Sequence, residues 1–129
     1  MIISRAPFRI TLAGGGTDLP LFYKKHGGVV TSMAINKHIY VSFKNNLLDD
    51  NVRLQYLQTE YVKSVEDLSH ERAKAALKHF QVLKQCEISS MADLPAKSGL
   101  GSSGSYLVAL INCLQEYLSL IHISEPTRP

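Results

Sequence analysis

The chain has 129 residues, of which 45% are hydrophobic and 19% are charged, the composition of an ordinary globular domain. Fourteen Lys and Arg against eleven Asp and Glu leave a net charge of +3, which suits a small anionic ligand but is too weak to indicate nucleic-acid binding. No apolar run approaches the roughly 20 residues of a membrane span, and the N-terminus lacks a signal-peptide pattern, so we expect a cytoplasmic protein that binds neither nucleic acid nor membranes.

The first third of the chain predicts two pairs of short strands around a glycine-rich connection. Pro7 interrupts the first pair because proline cannot donate to a sheet ladder, and Asn36-Lys37 is the expected tight turn within the second pair. Between the pairs, Asp18 is placed to cap a short helix over Leu19–His26, which Gly27 ends. The four predicted strands are Ile2–Ser4, Phe8–Leu12, Val29–Ile35 and Ile39–Phe43.

The rest of the chain predicts a strand, a helix, a further strand and a second helix. Val52–Leu57 alternates apolar and polar side chains, as half-buried strands do. Apolar residues then recur at helical spacing from Ser69 to Lys84, with the basic side chains mostly off the apolar face. Cys86–Ser90 is the last predicted strand, and the apolar spacing from Leu107 to Leu118 predicts a long helix.

The loop before that last helix has the composition of an anion site. Ser98 to Ser105 combines glycines, which let a backbone approach a phosphate closely, with the free N–H groups of a helix's first turn. The hydroxyls of Ser102 and Ser103 can bind a phosphate oxygen or a magnesium ion, and Lys97 adds a positive charge. On composition alone, an ordinary flexible loop is an equally good interpretation.

The loop also matches G-x-G-x-x-G through Gly99, Gly101 and Gly104, but three common nucleotide-binding loops do not fit it. A Rossmann unit needs a buried strand directly before the loop, and here Ala92-Asp93-Leu94-Pro95 precedes it. A protein-kinase glycine loop leads to a V-A-I-K lysine, and a Walker A loop ends in Gly-Lys followed by Ser or Thr. Neither pattern follows this loop.

The loop resembles instead the second motif of the GHMP small-molecule kinases, P-x-x-x-G-L-G-S-S, which Pro95 and Gly99 to Ser103 match at every specified position. The segment Arg5 to Asp18 is similar to the first motif of the same family. Its Gly-Gly-Gly-Thr-Asp ending is most similar to the family members that phosphorylate heptose 7-phosphate. The resemblance implies an α+β fold, with helices packed on a two-layer mixed sheet, and makes residues 1–120 the N-terminal ATP-binding domain.

The resemblance also implies an activity and a set of site residues. The protein would use ATP and Mg²⁺ to phosphorylate a sugar phosphate, at the anomeric hydroxyl of a heptose 7-phosphate. Arg9 would be catalytic, and Thr17 and Asp18 would bind substrate hydroxyls; the simpler alternatives are an ion pair for Arg9 and helix capping for Asp18. Ser103 would also hold the metal. The residues implied to bind ATP are Lys97, Ser98, Gly99, Leu100, Gly101, Ser102, Ser103 and Gly104.

The remaining chemistry-bearing residues have simpler interpretations. The five histidines show no metal-ligand spacing, and we assign them to surface or core. Cys86 and Cys113 fit neither a zinc site nor a disulfide framework, and we expect both to be buried thiols. The alternative from another functional class is a non-catalytic RNA-binding module, similar to a ribosomal-protein domain. That class predicts clustered basic and aromatic side chains, whereas the aromatic residues here are spread through the chain.

The resemblance also implies that this chain lacks part of the enzyme. Members of the family are more than twice as long, and further catalytic groups follow the second motif in them. We therefore expect an incomplete enzyme without turnover of its own, and an uncovered apolar face on the sheet and last helix. Residues 121–129 contain two prolines, and we expect them to be irregular and foreign to the protein, as translated vector sequence would be.

Overall fold

The computed structural model of the chain describes residues 1–14, 19–95 and 102–124. Within these ranges the fold is α+β, as predicted, and consists of a mixed five-stranded sheet and helices. The elements in chain order are β1 (Ile2–Ala13), α1 (Pro20–His26), β2 (Thr31–Asn45), β3 (Val52–Gln55), β4 (Thr59–Val62), a 3₁₀ turn (Val65–Asp67), α2 (Glu71–His79), β5 (Cys86–Ala92) and α3 (Ser102–Ser124).

The strand order in the sheet is β1-β2-β5-β3-β4. Neighbouring strands are antiparallel except β3 and β5, which are parallel because the chain returns between them through β4 and α2. The last strand therefore lies in the middle of the sheet. From its end the chain leads into the glycine-rich loop and then into α3, which packs across β1 and β2.

The core lies between one face of the sheet and the two longer helices. Alternate side chains of each strand point into it, because successive residues of a strand face opposite sides. Full burial of a large apolar side chain contributes about 1.5–3 kcal/mol. The largest fully buried side chains are Phe8, Val41, Phe43, Val52, Leu54, Val65, Leu77, Cys86, Ile88, Leu110, Cys113 and Leu114, so the prediction that both cysteines are buried is confirmed.

The predicted interruptions of the first four strands are wrong. β1 runs through Pro7, which an edge strand tolerates because one side of its backbone has no ladder partner. β2 likewise runs through Asn36 and Lys37. Pro7 pairs with His38 and Arg9 with Ala34, so the extra residues form a bulge in the ladder instead of a turn.

Two further boundaries differ from the sequence prediction. The strand predicted to reach Leu57 ends at Gln55, and β4 follows it after a tight turn in which Tyr56 N–H donates to the Gln58 carbonyl at 2.8 Å. α2 covers Glu71–His79 and stops short of Lys84, since the backbone turns at Gln81, where φ is +59°.

α1 begins at Pro20 and ends at His26; Gly27 is its C-cap residue, as predicted, and the φ of +72° there suits glycine. Its N-cap residue is Leu19, which makes no side-chain capping bond, and the predicted cap Asp18 lies outside the described residues. α3 follows the loop as predicted and continues to Ser124, so positions 121–124 are helical where the sequence predicted irregular structure. No helix in the described ranges has the length and apolar character needed to cross a membrane.

Candidate functional site

The first turn of α3 lies against the middle of β1. The Ser105 hydroxyl donates to the carbonyl oxygen of Pro7 at 2.8 Å, which fixes the helix at this point of the strand. An ideal Cβ built on Gly104 would lie 3.1 Å from Nη1 of Arg9, so the guanidinium rests beside the helix. The fold thus brings together Arg9 and the start of α3, as the two sequence motifs require.

The first turn of α3 supplies an environment that favours negative charge. The first N–H groups of a helix have no partner within it, and the helix dipole adds partial positive charge there. The Arg9 guanidinium is permanently charged and can hold a phosphoryl group through two parallel hydrogen bonds. Within the ranges that the structure describes, no salt bridge involves Arg9. The simpler interpretation of Arg9, an ion pair with a carboxylate, therefore finds no partner residue there.

A cavity of about 480 Å³ opens next to this turn. Its walls are the end of β5 with the residues after it, the β3–β4 turn, the start of α2 and the start of α3. Pro95 and Ser103, which stand at the two ends of the loop motif, both line it. Cavities of 300–1,000 Å³ with mostly apolar walls are typical of small-molecule sites.

One wall of the cavity is a group of three ring side chains, Tyr56, His70 and Tyr106. The His70 ring lies 4.7 Å from Tyr56, edge to face, and 5.1 Å from Tyr106, measured between ring centroids. His70 is also the N-cap of α2, because its Nδ1 accepts from the Ala73 N–H at 3.2 Å. The imidazole is therefore fixed in orientation by the helix that it begins.

Glu60 supports the same wall from β4. Its carboxylate accepts from the Tyr56 hydroxyl at 2.8 Å and from the Ser69 N–H at 2.7 Å. Burial by itself would raise the pKa of Glu60, but these hydrogen bonds outweigh it and the net pKa is lowered. The same bond raises the pKa of Tyr56, since the phenol donates to a carboxylate. Near pH 7 the Glu60 carboxylate is therefore ionised and the Tyr56 phenol protonated, as the hydrogen bond between them requires.

Asp93 sets the point where the chain leaves the sheet. His38 and Asp93 exchange two hydrogen bonds, from Asp93 N–H to the His38 carbonyl at 2.9 Å and from His38 N–H to Oδ2 of Asp93 at 2.8 Å. They extend the pairing of β2 with β5 by one residue beyond Ala92. The loop motif therefore starts from a fixed position at the cavity mouth.

The described part of the site contains Arg9, Ser103 and Gly104 of the residues predicted from the motifs. Ser102 is the first residue of α3. The roles predicted for all of these residues stay predictions. The residues that lie outside the described ranges are Thr17, Asp18, Lys97, Ser98, Gly99, Leu100 and Gly101. The sequence analysis missed the ring wall. Tyr106 could have been found, since it stands three residues after Ser103 and shares its helix face, whereas Tyr56 and His70 have no motif around them.

One described residue, Ser103, offers a ligand that suits a magnesium ion. The exposed Ser103 lines the cavity and offers a hydroxyl oxygen, a ligand type that Mg²⁺ accepts. Among the residues of 1–14, 19–95 and 102–124, no group of three or more His, Cys, Asp or Glu side chains is arranged to hold a metal. Magnesium in nucleotide sites takes most of its ligands from phosphates and water, so one protein hydroxyl is compatible with that role.

Comparison with known proteins adds to this geometry. Residues 60–127 match the family described as GHMP kinases N terminal domain. The chain is 24% identical to a D-glycero-alpha-D-manno-heptose 7-phosphate kinase of Campylobacter jejuni, over 92% of this chain and 38% of that protein. It spans about two-fifths of the length of that relative.

Solved structures share the fold. A D-glycero-D-manno-heptose 1-phosphate kinase from Bacteriodes thetaiotaomicron superimposes with a TM-score of 0.78 and 24% identity, over 92% of this chain and 42% of that one. A phosphomevalonate kinase of Streptococcus pneumoniae, solved with phosphomevalonate and AMPPNP, superimposes with a TM-score of 0.64 and 15% identity, over 98% of this chain and 39% of that one.

Proposed function

The chain belongs to the GHMP kinases through the N-terminal domain of that family, and from this premise we propose that it is the nucleotide-binding part of an ATP-dependent sugar-phosphate kinase. The observation that carries the proposal is the cavity whose wall includes both ends of the loop motif, Pro95 and Ser103. A nucleoside in this cavity would direct its phosphates towards the first turn of α3. That turn offers free N–H groups, and the Arg9 guanidinium lies beside it.

The proposed catalysis depends on positioning and on charge neutralisation, which dominate phosphoryl transfer. Arg9 would hold the oxygens of the transferring phosphoryl group, where a fixed cation stabilises charge that develops in the transition state. Ser103 would provide a hydroxyl ligand to magnesium, which neutralises phosphate charge when it is bound. Thr17 and Asp18 would bind hydroxyls of the sugar, since a carboxylate can accept from two neighbouring hydroxyls.

The proposed acceptor is the anomeric hydroxyl of a heptose 7-phosphate. Two observations support this choice over other sugars: the Gly14-Gly15-Gly16-Thr17-Asp18 form of the first motif, and two relatives whose names both refer to heptose phosphates. The phosphomevalonate kinase with the same fold acts on a different class of acceptor. Acceptor choice therefore depends on residues around Thr17 and Asp18, and the fold alone does not determine it.

The first test measures ATP binding by a full-length version with isothermal titration calorimetry. Replacing Gly101 with Val is expected to abolish binding, because a branched side chain would occupy space next to the phosphates. Gly28→Val is the matched control: this exposed glycine lies outside both motifs, and ATP affinity is expected to be unchanged. Circular dichroism establishes that each variant folds. Equal ATP affinity in folded Gly101→Val and wild-type chains would contradict the proposed site.

The second test identifies the acceptor. ADP release is measured for a full-length version with a panel of free sugars, hexose phosphates and heptose phosphates. We expect the highest kcat/KM with a heptose 7-phosphate, and a product that is phosphorylated at the anomeric position. Asp18→Asn is expected mainly to raise the KM for the sugar. Equal turnover across the panel would refute the assignment of the acceptor.

A further inference from the structure

The His70 imidazole uses one of its two nitrogens to cap α2. Nδ1 accepts from the Ala73 N–H at 3.2 Å, so the proton of the neutral ring is on Nε2. Within the part of the chain that the structure describes, Nε2 has no hydrogen-bond partner. The ring therefore presents an N–H donor for which those residues supply no acceptor.

Nε2 of His70 is accessible to solvent. In the described ranges, the fully buried side-chain nitrogen or oxygen without a partner is the Tyr106 hydroxyl. His70 is half-buried and lies outside the buried core, so its unpartnered Nε2 stays in contact with solvent. The two nitrogens lie on different sides of the imidazole, and Nε2 therefore points away from the helix that Nδ1 caps. Since His70 lines the 480 Å³ cavity, a bound molecule can reach this donor.

The surroundings of His70 hold the ring in this orientation. The Tyr56 ring contacts it edge to face at 4.7 Å, and the Tyr106 ring contacts it at 5.1 Å. Tyr56 is itself fixed by its hydrogen bond to Glu60, and the same carboxylate accepts from the N–H of Ser69, the residue before His70. The donor is therefore preorganised, and a ligand that accepts from it does not have to order the side chain.

The position of His70 indicates which part of a nucleotide it meets. The phosphates belong to the first turn of α3, and Tyr106, which His70 contacts, stands one helical turn further along. Most side chains that line the cavity are apolar, among them Leu57, Met91 and Leu94. A flat nucleobase packs well against such walls, whereas a phosphate or a ribose would bury polar groups there without partners. Nucleobases carry acceptor nitrogens and oxygens at their edges.

We propose that Nε2–H of His70 donates a hydrogen bond to the base of the bound nucleotide and that this bond selects bases with an acceptor at that position. The inference rests on the proposed nucleotide site and adds a specificity-determining residue to it. A base with the acceptor completes the hydrogen bonds of His70, whereas a base without it displaces water and leaves the donor unpaired. One such bond corresponds to about a tenfold difference in affinity.

The test is His70→Asn in a full-length version. Asparagine is among the best N-cap residues, so it keeps an acceptor for the Ala73 N–H, but it is too short to place a donor where Nε2 lies. Isothermal titration calorimetry is expected to show an ATP affinity about tenfold lower than wild type. Affinity for inorganic tripolyphosphate, which has no base, is expected to stay the same. The midpoint of urea denaturation should also be unchanged, because the cap is kept.

Two further variants serve as controls. His70→Ala removes the cap together with the donor, so it is expected to lower the urea midpoint as well as the ATP affinity. His79→Asn makes the same substitution in the last turn of α2, at the opposite end from the cavity, where the histidine is exposed. Its ATP affinity is expected to equal that of wild type. The three variants together separate loss of the donor from loss of the cap.

The outcomes distinguish the inference from the proposed function. If the folded full-length protein does not bind ATP, the proposed function fails. If it binds ATP and His70→Asn binds ATP equally well, the function stands and the inference is wrong. Equal weakening of ATP and tripolyphosphate binding also overturns the inference, because the effect would then not involve the base.

Nucleotide analogues locate the bond. 1-Deaza-ATP, 3-deaza-ATP and 7-deaza-ATP each lack one acceptor nitrogen of adenine, and 2′-deoxy-ATP lacks a ribose hydroxyl. The wild-type protein is expected to bind one of the deaza analogues about tenfold less tightly than ATP, and His70→Asn to lose that preference. Equal wild-type affinity for ATP and all three deaza analogues, or a preference that persists in His70→Asn, contradicts the inference. Loss of preference against 2′-deoxy-ATP alone assigns the bond to the ribose and contradicts it too.

Discussion

Gly104 is required for space and not for an unusual backbone conformation. Its φ is not positive, whereas among the glycines that the structure describes Gly14 and Gly27 have positive φ, and it lies in the first turn of α3. A Cβ at this position would meet Nη1 of Arg9 at 3.1 Å, closer than ordinary contact. The glycine therefore allows the guanidinium to lie against the helix, and that is a requirement of the proposed site more than of the fold.

Gly104→Ala is accordingly expected to separate stability from activity. The free energy of unfolding should rise by up to about 1 kcal/mol, because alanine favours helix and the long Arg9 side chain can move aside. Turnover of a full-length version should fall, since a displacement of the guanidinium by a few tenths of an ångström weakens its alignment with the phosphoryl group. Urea denaturation and steady-state kinetics measure the two effects.

Arg9→Met provides the control for that prediction. By itself it is expected to lower turnover about 10²-fold, as the loss of one fixed charge beside a transition state does. In the Arg9→Met background, Gly104→Ala should have no further effect on turnover, because the contact between the two residues no longer exists. Additive losses in the double variant would show that Gly104 acts independently of Arg9.

At the scale of single residues, the sequence predicts those members of the candidate site that belong to a contiguous motif. Ser103 and Gly104 are examples, since a glycine-rich loop before a helix has a direct physical meaning. The sequence does not predict Tyr56 and His70, which come from separate elements and meet through the sheet. His70 as an N-cap is also outside the usual set of Ser, Thr, Asp and Asn, so no local pattern marks the start of α2.

Among the secondary-structure elements, the strands of the sheet are where local sequence patterns do not predict the boundaries correctly. The polar pair Asn36-Lys37 marks a real irregularity, but the chain continues through it because β2 pairs with β1 on both sides of the bulge. β4 was missed for the opposite reason. The turn before it, Tyr56-Leu57-Gln58, contains none of the Gly, Pro, Asn or Asp residues that usually identify a hairpin. Strand pairing determined both outcomes, with β1 in the first case and with the adjacent β3 in the second.

α1 is attached to the fold without contributing to its core. None of its residues is buried, and its seven residues are too few for a helix to be stable alone. Its backbone is closed by bonds from Phe22 N–H and Tyr23 N–H to the Leu19 carbonyl, and the Phe22 ring contacts His26 within the helix. The stability of the sheet layer is therefore expected to be nearly independent of α1.

A pair of phenylalanine substitutions tests this independence. Phe22→Ala should lower the free energy of unfolding by less than about 1 kcal/mol, because the side chain is 43% exposed. Phe43→Ala should lower it by about 3–5 kcal/mol, because that ring is 1% exposed and packs on Tyr117 in α3. Urea denaturation followed by circular dichroism gives both values. A loss above 2 kcal/mol for Phe22→Ala would mean that α1 is part of the cooperative core.

For the whole molecule, the uncovered apolar face predicted for the sheet and the last helix stays a prediction. The outer face of the sheet is polar at its centre, where Glu87 pairs with Lys44 and Arg53, each at 3.3 Å. Such exposed pairs contribute at most about 1 kcal/mol. Exposed apolar side chains occur on the sheet and the last helix, among them Met91 in β5 and Val108 in α3. The larger exposed apolar side chains within residues 12–33 are Leu12, Leu19, Leu21, Phe22, Tyr23, Val29, Val30 and Met33.

The two thiols lie where the layers of the molecule meet. Cys86 is fully buried in β5, between β2 and β3, and Cys113 is fully buried on the face of α3 that covers the sheet. The Cys113 thiol lies 3.3 Å from the Val41 carbonyl oxygen in β2, with which it can form a hydrogen bond. Desolvation raises the pKa of both thiols, that of Cys86 to about 12. Each thiol thus becomes reactive only when the helix layer separates from the sheet or the sheet opens.

Thiol labelling therefore reports on the integrity of the whole fold. At pH 8 both cysteines should react with Ellman's reagent far more slowly than a free thiol, and two equivalents should react at once in denaturing urea. The variants Cys86→Ala and Cys113→Ala isolate each site, and equal labelling rates would show that sheet and helix open as one unit. The raised pKa values also predict how stability depends on pH. The thiols of the unfolded chain ionise at a lower pH than those of the folded chain. The free energy of unfolding should therefore decrease as the pH rises from 9 towards 12. Immediate labelling of either cysteine in the native chain, or constant stability across that pH range, would contradict the burial on which the two-layer packing depends.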